Sequence, residues 1–169
     1  MMNLLKREWN LVKNMYPNLI LTIGISGSGK STYLKKHFKK EEILSADELR
    51  KVLCGNVNDQ SKNSSVWRII KETAVKMIEE KYPRVVIDGI NVVSKDRTRF
   101  LKNFKDLECI TTALVFKPDL EISLKRIEKD IKNNINRAAV EKEVLEKQYK
   151  AFKAGYENIK NQFDEIIEV

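Results

Sequence analysis

A short glycine-rich segment constrains the fold of this 169-residue chain more than any other feature. Residues 24–31 have the spacing G-x-x-x-x-G-K-S, an apolar run precedes them at 19–23, and helix-compatible sequence follows at 31–40. A strand, a loop and a helix in that order are the setting in which this spacing forms a phosphate-binding loop, or P-loop. The alternative is a glycine-rich turn that only joins a strand to a helix, and such a turn needs no Lys-Ser pair.

The spacing predicts a nucleotide triphosphate site for physical reasons. Glycines let the backbone curl until successive N–H groups converge on phosphate oxygens, and the following helix directs its positive end at the same oxygens. Lys30 can then reach the β- and γ-phosphates of ATP, while the Ser31 hydroxyl can ligate Mg²⁺. The predicted nucleotide-binding residues are Gly24, Ser26, Gly27, Ser28, Gly29, Lys30, Ser31 and Thr32.

The rest of the chain alternates between strand-like and helix-like segments. Further strands are predicted at 42–45, 84–88, 110–116 and 163–169. Helices are predicted from near Asp47, from a cap at Ser64 or Ser65, and over 94–105, 120–133 and 140–158. This alternation predicts an α/β fold, with an open, mostly parallel sheet, helices on both faces and ligands bound beyond the carboxyl ends of the strands.

Composition narrows the setting in which such a fold would act. The net charge of +8 favours a polyanionic partner such as a nucleic acid or a phosphorylated substrate, although solvated lysine-rich faces give the same balance. Cys54, Cys109 and the single His37 have no zinc-ligand or disulfide spacing and fit a reducing cytoplasm. We expect no signal peptide, and no run approaches the roughly 20 apolar residues of a membrane span.

A carboxylate and a guanidinium follow the second predicted strand. Asp47 and Arg50 are three residues apart, so they share one face of the predicted helix. A kinase needs a base to take the proton of its acceptor hydroxyl and a cation to hold an anionic acceptor. The alternative is that Asp47 interacts with the helix dipole while Arg50 is solvated.

The third strand ends in a second acid. Asp88 is a candidate Mg²⁺ residue that could hold metal-bound water, or it could orient a substrate-binding cation. Asn91 and Arg97 follow it as further candidate substrate-binding residues. Gly89 stands where an ATPase motor usually has a second acid, and no guanine-binding Asn-Lys-x-Asp sequence is present. The alternative for Asp88 is a carboxylate that caps a loop.

The lysine- and arginine-rich segment at about 117–150 is predicted to form a helical lid. Closing an ATP site requires cations, and Arg126 and Arg137 are the candidates, although a solvated position is the default for either one. The predicted organisation is thus an N-terminal helical extension at 1–18 and a P-loop kinase domain at 19–169. The extension could pack on the core, form a dimer surface or grip substrate.

These residues together resemble the P-loop polynucleotide 5′-hydroxyl kinase family from residue 19 onward. The similar segments are 21–32, 45–50, 86–91 with Arg97, and 137–140 leading into 144–145. The sequence departs from the family at Glu141, where the family often has proline, and at 88–91, where the family often has Asp-x-Thr-Asn. No Asp-x-Asp phosphatase signature is present, so no linked 3′-phosphatase is expected.

The resemblance implies a role for each matching residue. Asp47 would be the general base for the 5′-hydroxyl, and Arg50 would hold the adjacent phosphate. Lys30 and Ser31 would bind ATP and Mg²⁺, Asp88 would support the acceptor side, and a lid arginine would clasp the donor phosphates. The function predicted is transfer of the ATP γ-phosphate to nucleic-acid 5′ ends. A kinase for a nucleoside or sugar and a non-catalytic nucleotide-dependent binding module are the alternatives. Trp67 is either a base-stacking residue or a core residue.

Overall fold

A five-stranded sheet organises the molecule. The computed structural model describes residue 11 and residues 13–133 and 140–169. The strands are β1 (Asn18–Ile23), β2 (Ile43–Ser45), β3 (Arg84–Asp88), β4 (Ile110–Val115) and β5 (Glu165–Glu168). Their order across the sheet is β2-β3-β1-β4-β5, and every neighbouring pair is parallel. The predicted parallel sheet is therefore confirmed.

Helices connect the strands. The α-helices of the described residues are α1 (Lys30–His37), α2 (Ala46–Cys54), α3 (Asn63–Glu79), α4 (Ser94–Leu101), α5 (Leu120–Lys132) and α6 (Lys142–Gly155). Short 3₁₀ helices lie at Lys40–Glu42, Lys102–Phe104 and Glu157–Asn161. None of the helices in this part of the chain combines the length and apolar character needed to cross a bilayer.

Strand residues alternate between two hydrophobic clusters, which shows that both faces of the sheet are covered. Leu19 and Leu21 of β1 point into the larger cluster, where α3, α5 and α6 contribute most of the helical residues. Ile20, between them, joins a smaller cluster with Leu34 of α1. This arrangement explains why the central strands are continuously apolar rather than alternating. The prediction of helices on both faces is confirmed.

The P-loop, β2 and β3 meet at one edge of the sheet. Ser45 lies opposite Asp88 in the pairing of β2 with β3, so both residues are at the carboxyl ends of their strands. The carboxyl end of β1 leads into the P-loop between β3 and β4. The final residues of β2 and β3 and the P-loop after β1 therefore lie close together, although they are far apart in the sequence.

Several helix boundaries differ from the prediction. Helix α3 begins at Asn63 with Lys62 as the N-cap residue, so the predicted cap at Ser64 or Ser65 was wrong. The preceding loop already turns there, since the Asn63 N–H donates to the Gln60 carbonyl at 3.0 Å and the helix continues from that turn. Helix α4 ends at Leu101 and continues as a 3₁₀ turn.

The predicted N-terminal extension lies mostly outside the described residues. Residue 11 and residues 13–15 are helical. Lys13 forms an ion pair with Glu165 of β5. The end of the predicted extension therefore lies beside the edge of the sheet farthest from β2.

Candidate functional site

The P-loop joins β1 to α1 and lines one side of a large open cleft. Gly27 and Gly29 have positive φ values of 75° and 96°, which glycine adopts without strain. Residues 26–32 line the cleft. Gly24 does not: it is buried at the base of the loop, where its N–H donates to the Ile90 carbonyl at 3.0 Å. Of the predicted nucleotide-binding residues, Gly24 thus shapes the loop from below.

Lys30 holds the loop together and also faces the cleft. Its Nζ donates to the carbonyl oxygens of Gly24 and Ile25 at 2.9 and 2.7 Å. The side chain is buried, yet it lines the cleft. A cation fixed among backbone carbonyls at the mouth of a loop of N–H groups is suited to bind the phosphates of a nucleotide.

Ser31 and Thr32 occupy the exposed first turn of α1. Gly29 caps this helix without a side-chain hydrogen bond, so the first N–H groups of the helix have no side-chain cap, and residues 30–32 line the cleft. The Ser31 hydroxyl and the Asp88 carboxylate line the same cleft. Both supply oxygen ligands, which Mg²⁺ prefers.

Asp47 and Arg50 form an ion pair across one turn of α2. Arg50 Nη1 lies 2.5 Å from Asp47 Oδ1, and Nη2 donates to Asn63 Oδ1 at 3.1 Å. The Arg50 side chain is 11% exposed, whereas that of Asp47 is 60% exposed. Arg50 therefore holds the carboxylate of Asp47 toward the cleft while remaining largely buried itself. The predicted contact of Arg50 with a substrate phosphate stays a prediction.

Ser45 explains why α2 begins where it does. Its backbone is extended, and its side-chain oxygen accepts a hydrogen bond from the Glu48 N–H at 3.4 Å. This is an N-cap interaction at the carboxyl end of β2. It places Asp47 in the first turn of the helix, directly at the sheet edge that carries the P-loop.

Asp88 lies between the two halves of the site. Burial raises the pKa of Asp88 to about 6, the positive charge of Lys30 lowers it, and the negative charges of Asp47 and Glu48 raise it further. Lys30, Asp47 and Glu48 therefore lie close enough to Asp88 for their charges to change its pKa. The structure thus brings Lys30, Asp88 and Asp47 into one electrostatic unit.

Asn91 and Arg97 have structural contacts. The Asn91 side-chain amide donates to the Thr22 carbonyl at 2.9 Å, and the residue lines the cleft. Arg97 is 2% exposed and donates to the Asn91, Val92 and Gly155 carbonyls. Because its guanidinium is enclosed by protein oxygens, the structure does not bring Arg97 to the cleft as the sequence-based prediction required.

Two helices of the predicted lid contact the P-loop. Arg126 Nη1 of α5 donates to the Gly27 carbonyl at 3.2 Å, so an exposed guanidinium lies beside the loop. A Cβ on Gly27 would stand 2.7 Å from the Ser123 carbonyl oxygen, which shows how closely α5 approaches. Arg137, the other predicted lid arginine, lies outside the described residues.

Sequence reasoning missed Gln148 of α6. Its Oε1 accepts a hydrogen bond from the Ser26 backbone N–H at 2.9 Å. This backbone group belongs to the P-loop, so α6 places an amide directly in the predicted phosphate site. No spacing in the sequence indicated this contact, which depends on how α6 packs.

A family comparison identifies the domain. A family model described as an AAA domain matches residues 19–155. The chain belongs to this AAA-domain family. Among proteins of curated function, none matches the sequence closely enough to count as a relative.

Solved structures give the AAA-domain chain a kinase-type P-loop fold. A chain of the Pnkp1/Rnl/Hen1 RNA repair complex is 18% identical with a TM-score of 0.72, covering 85% of this chain and 46% of that one. Shikimate kinase from Acinetobacter baumannii is 18% identical with a TM-score of 0.55, covering 92% and 85%. A gluconokinase from Sinorhizobium meliloti 1021 is 16% identical with a TM-score of 0.54, covering 91% and 83%.

These comparisons confirm the predicted P-loop kinase-type fold. The AAA-domain chain spans less than half the length of the matched chain in the repair complex, at 46%. It matches most of the length of the two small-substrate kinases. The class of acceptor is therefore a separate question from the fold.

Proposed function

We propose that this chain is an ATP-dependent kinase that transfers the γ-phosphoryl group to the 5′-hydroxyl of a nucleic acid. The observation that carries the proposal is the exposed carboxylate of Asp47, held by Arg50 in the same cleft as Lys30 and Asp88. An ATPase motor usually has a second acid after the one that ends this strand, where it activates water, whereas Gly89 follows Asp88 here. An acid aligned by an arginine on the acceptor side instead suits an alcohol nucleophile.

In this mechanism the acceptor oxygen attacks the γ-phosphorus while Asp47 takes the hydroxyl proton. The bond between the γ-phosphorus and the bridging oxygen breaks, and ADP leaves with that oxygen. Lys30 and the P-loop N–H groups neutralise charge on the donor phosphates, and Arg126 is positioned to add a second cation. Arg50 keeps the base oriented throughout.

Mg²⁺ fits the donors at the site. Ser31 and Asp88 offer a hydroxyl and a carboxylate, and Mg²⁺ is usually bound by one or two protein oxygens together with substrate phosphates. Across the described ranges, no three His, Cys, Asp or Glu side chains form a metal-binding group, so a site built by protein alone is not indicated there. When bound, the ion would supply charge neutralisation at the phosphates.

Nucleic acid is favoured as the acceptor by charge and by one similar solved structure. The chain carries a net charge of +8. A chain of an RNA repair complex is among the similar structures. The second candidate is a small hydroxyl compound, favoured by the near-complete overlap with shikimate kinase and gluconokinase.

The decisive assay measures transfer of labelled phosphate from ATP. The acceptors are a 5′-hydroxyl oligonucleotide, a nucleoside, gluconate and shikimate. We expect the oligonucleotide to be phosphorylated with the highest kcat/KM. Preference for a small hydroxyl compound would select the second candidate, and ATP binding without any transfer would select a non-catalytic module.

Replacement of the base tests its role. Asp47→Asn should lower kcat by about 10²-fold or more while ATP still binds, because general-base catalysis contributes about that much. Glu79→Gln changes an exposed acid of α3 that does not line the cleft and should keep most activity. Near-normal turnover in Asp47→Asn would overturn the assignment.

A further inference from the structure

The cleft extends beyond Asp47 and Asp88 along a wall formed by α3, α4 and the 3₁₀ turn after α4. Side chains from these elements line it together, among them Trp67, Arg68, Lys71, Arg99, Phe100 and Lys102. We call these six residues the acceptor wall. None of them is used by the mechanism above.

Trp67 lies directly beside the catalytic strand end. A Cβ on Gly89 would come within 3.1 Å of Trp67 Cη2. The indole edge therefore contacts the backbone next to Asp88. A planar group resting on this ring would be adjacent to the carboxylates that face the acceptor.

An aromatic row fixes the orientation of this ring. Trp67 packs edge-on against Phe100 with ring centroids 6.1 Å apart, and Phe100 lies 5.3 Å from Phe104. Phe104 is 2% exposed and belongs to the core. The row thus runs from the core to the cleft, so Trp67 is both partly buried and partly available. Both predicted roles of Trp67 are compatible with this position.

The charge of the wall matches a phosphodiester backbone. Four basic side chains line the wall: Arg68, Lys71, Arg99 and Lys102. Among the described residues of α3, α4 and the 3₁₀ turn, Asp96 is the one acidic residue that lines the cleft. Arg68 pairs with Glu72 and Arg99 with Asp96, both through exposed side chains. Exposed pairs are weak and are readily exchanged for a phosphate partner.

We propose that the acceptor wall binds the nucleotides that follow the 5′-terminal one in a single-stranded acceptor. Trp67 stacks on one base, and the lysines and arginines on either side hold the phosphates. Stacking requires an unpaired base, which is why a single strand fits and a blunt duplex end does not. This inference rests on the proposed function and extends it to the strand beyond the reactive terminus.

The experiment compares a nucleoside 3′-phosphate with single-stranded 5′-hydroxyl oligonucleotides of increasing length, using the full chain. We expect kcat/KM to rise with length and to be lower for a blunt duplex. Trp67→Leu should reduce kcat/KM for the oligonucleotide about tenfold more than for the nucleoside 3′-phosphate, the size of one lost stacking contact. Trp67→Phe should restore most of the difference. Tyr82→Leu, which changes an exposed aromatic residue that does not line the cleft, is the matched control.

A charge reversal tests the same wall without altering the aromatic row. Lys71→Glu should raise KM for the oligonucleotide and weaken the dependence of KM on salt, since a phosphate contact is lost. Lys76→Glu lies on the same helix away from the cleft and should change neither. This variant remains informative if Trp67→Leu does not fold.

The outcomes separate this inference from the proposed function. Equal kcat/KM for the nucleoside 3′-phosphate and the oligonucleotides, with parallel losses in Trp67→Leu, would overturn the acceptor wall and leave the 5′-kinase intact. Transfer only to small hydroxyl compounds would overturn both. Equal use of blunt duplex and single strand would also contradict the wall as a stacking site.

Discussion

At the scale of single residues, the site is organised by how each charge is partnered. Arg50 has its terminal nitrogens bonded to Asp47 and Asn63, while its Nε is the buried side-chain donor without a partner among the described residues. The hydrogen bonds of the two terminal nitrogens oppose the free energy cost of burying Nε without a partner. For Asp88, burial disfavours the charged carboxylate, whereas the positive charge of Lys30 stabilises it.

The first prediction concerns the stability of the fold as a function of pH. Folding raises the pKa of Asp88 from 3.8 to about 6, so the folded state binds the proton more tightly than the unfolded chain does. The side chain therefore costs nothing below about pH 4 and destabilises the folded protein increasingly as the pH rises through 6. Asp88→Asn should raise the free energy of unfolding by about 1–3 kcal/mol at pH 8 and much less at pH 4.

Urea unfolding at several pH values measures this effect. Asp106→Asn, at an exposed position, is the matched control and should change the free energy of unfolding little at any pH. An equal effect of Asp88→Asn at pH 4 and pH 8 would show that the carboxyl is not titrating as described.

The second prediction concerns Gln148. Gln148→Glu would place a carboxylate against the Ser26 N–H, in the site predicted to hold phosphates. Repulsion between like charges should weaken ATP binding about tenfold, equivalent to about 1.4 kcal/mol. Gln148→Met keeps the length of the side chain without the charge and should weaken binding less. Titration calorimetry with ATP measures both, and unchanged affinity in Gln148→Glu would place the phosphates away from Ser26.

At the scale of elements, the P-loop depends on its close approach to α5. Gly27 combines a positive φ of 75° with a backbone neighbour that leaves no room for a Cβ. Gly55 ends α2 with a φ of 72° but has nothing within 4 Å of an added Cβ. An added Cβ would therefore meet only backbone strain at Gly55, and both backbone strain and a steric clash at Gly27.

The third prediction uses this pair. Gly55→Ala should cost about 1 kcal/mol of unfolding free energy, the strain of a left-handed residue with a Cβ. Gly27→Ala should cost about 1–3 kcal/mol more, because the Cβ would overlap Ser123 and separate α5 from the loop. Urea unfolding and ATP binding measure the two effects. An equal loss of unfolding free energy in the two variants would mean that α5 moves away from the loop without an energetic penalty.

At the scale of the whole molecule, one buried cation joins distant parts of the chain. Arg97 of α4 donates to Val92 after β3, to Gly155 at the end of α6, and through Nε to Gln162 at 2.9 Å. Burial lowers the pKa of Arg97 to about 10, so the side chain remains charged at neutral pH. Arg97 thus secures the C-terminal segment against the strand that carries Asp88.

The fourth prediction follows from this position. Arg97→Met should lower the free energy of unfolding by about 3 kcal/mol, because it leaves several buried carbonyl groups without a donor. Arg99→Met, on the same helix but with a side chain 72% exposed, should change it by less than about 0.5 kcal/mol. Thermal unfolding measures both. Loss of activity without loss of stability in Arg97→Met would instead support the substrate role expected from sequence.

The sequence alone determined the order of the elements, the parallel sheet and the position of the P-loop. Each of these follows from local patterns: continuous apolar runs at 19–23 and 84–88, and a spacing of Gly and Lys that only a P-loop requires. Asp47 and Arg50 were paired in the same way, since three residues along a helix bring side chains together.

Only the tertiary structure decided which polar residues face the cleft. Arg97 is a cationic side chain that could bind an anionic substrate, yet it is buried. Gln148 lies far from the P-loop in the sequence, yet its side chain contacts the loop. Trp67 is partly core and partly cleft because Phe100 and Gly89 meet at its ring. These outcomes depend on how helices pack across the sheet, and packing joins residues whose separation along the chain carries no periodic signal.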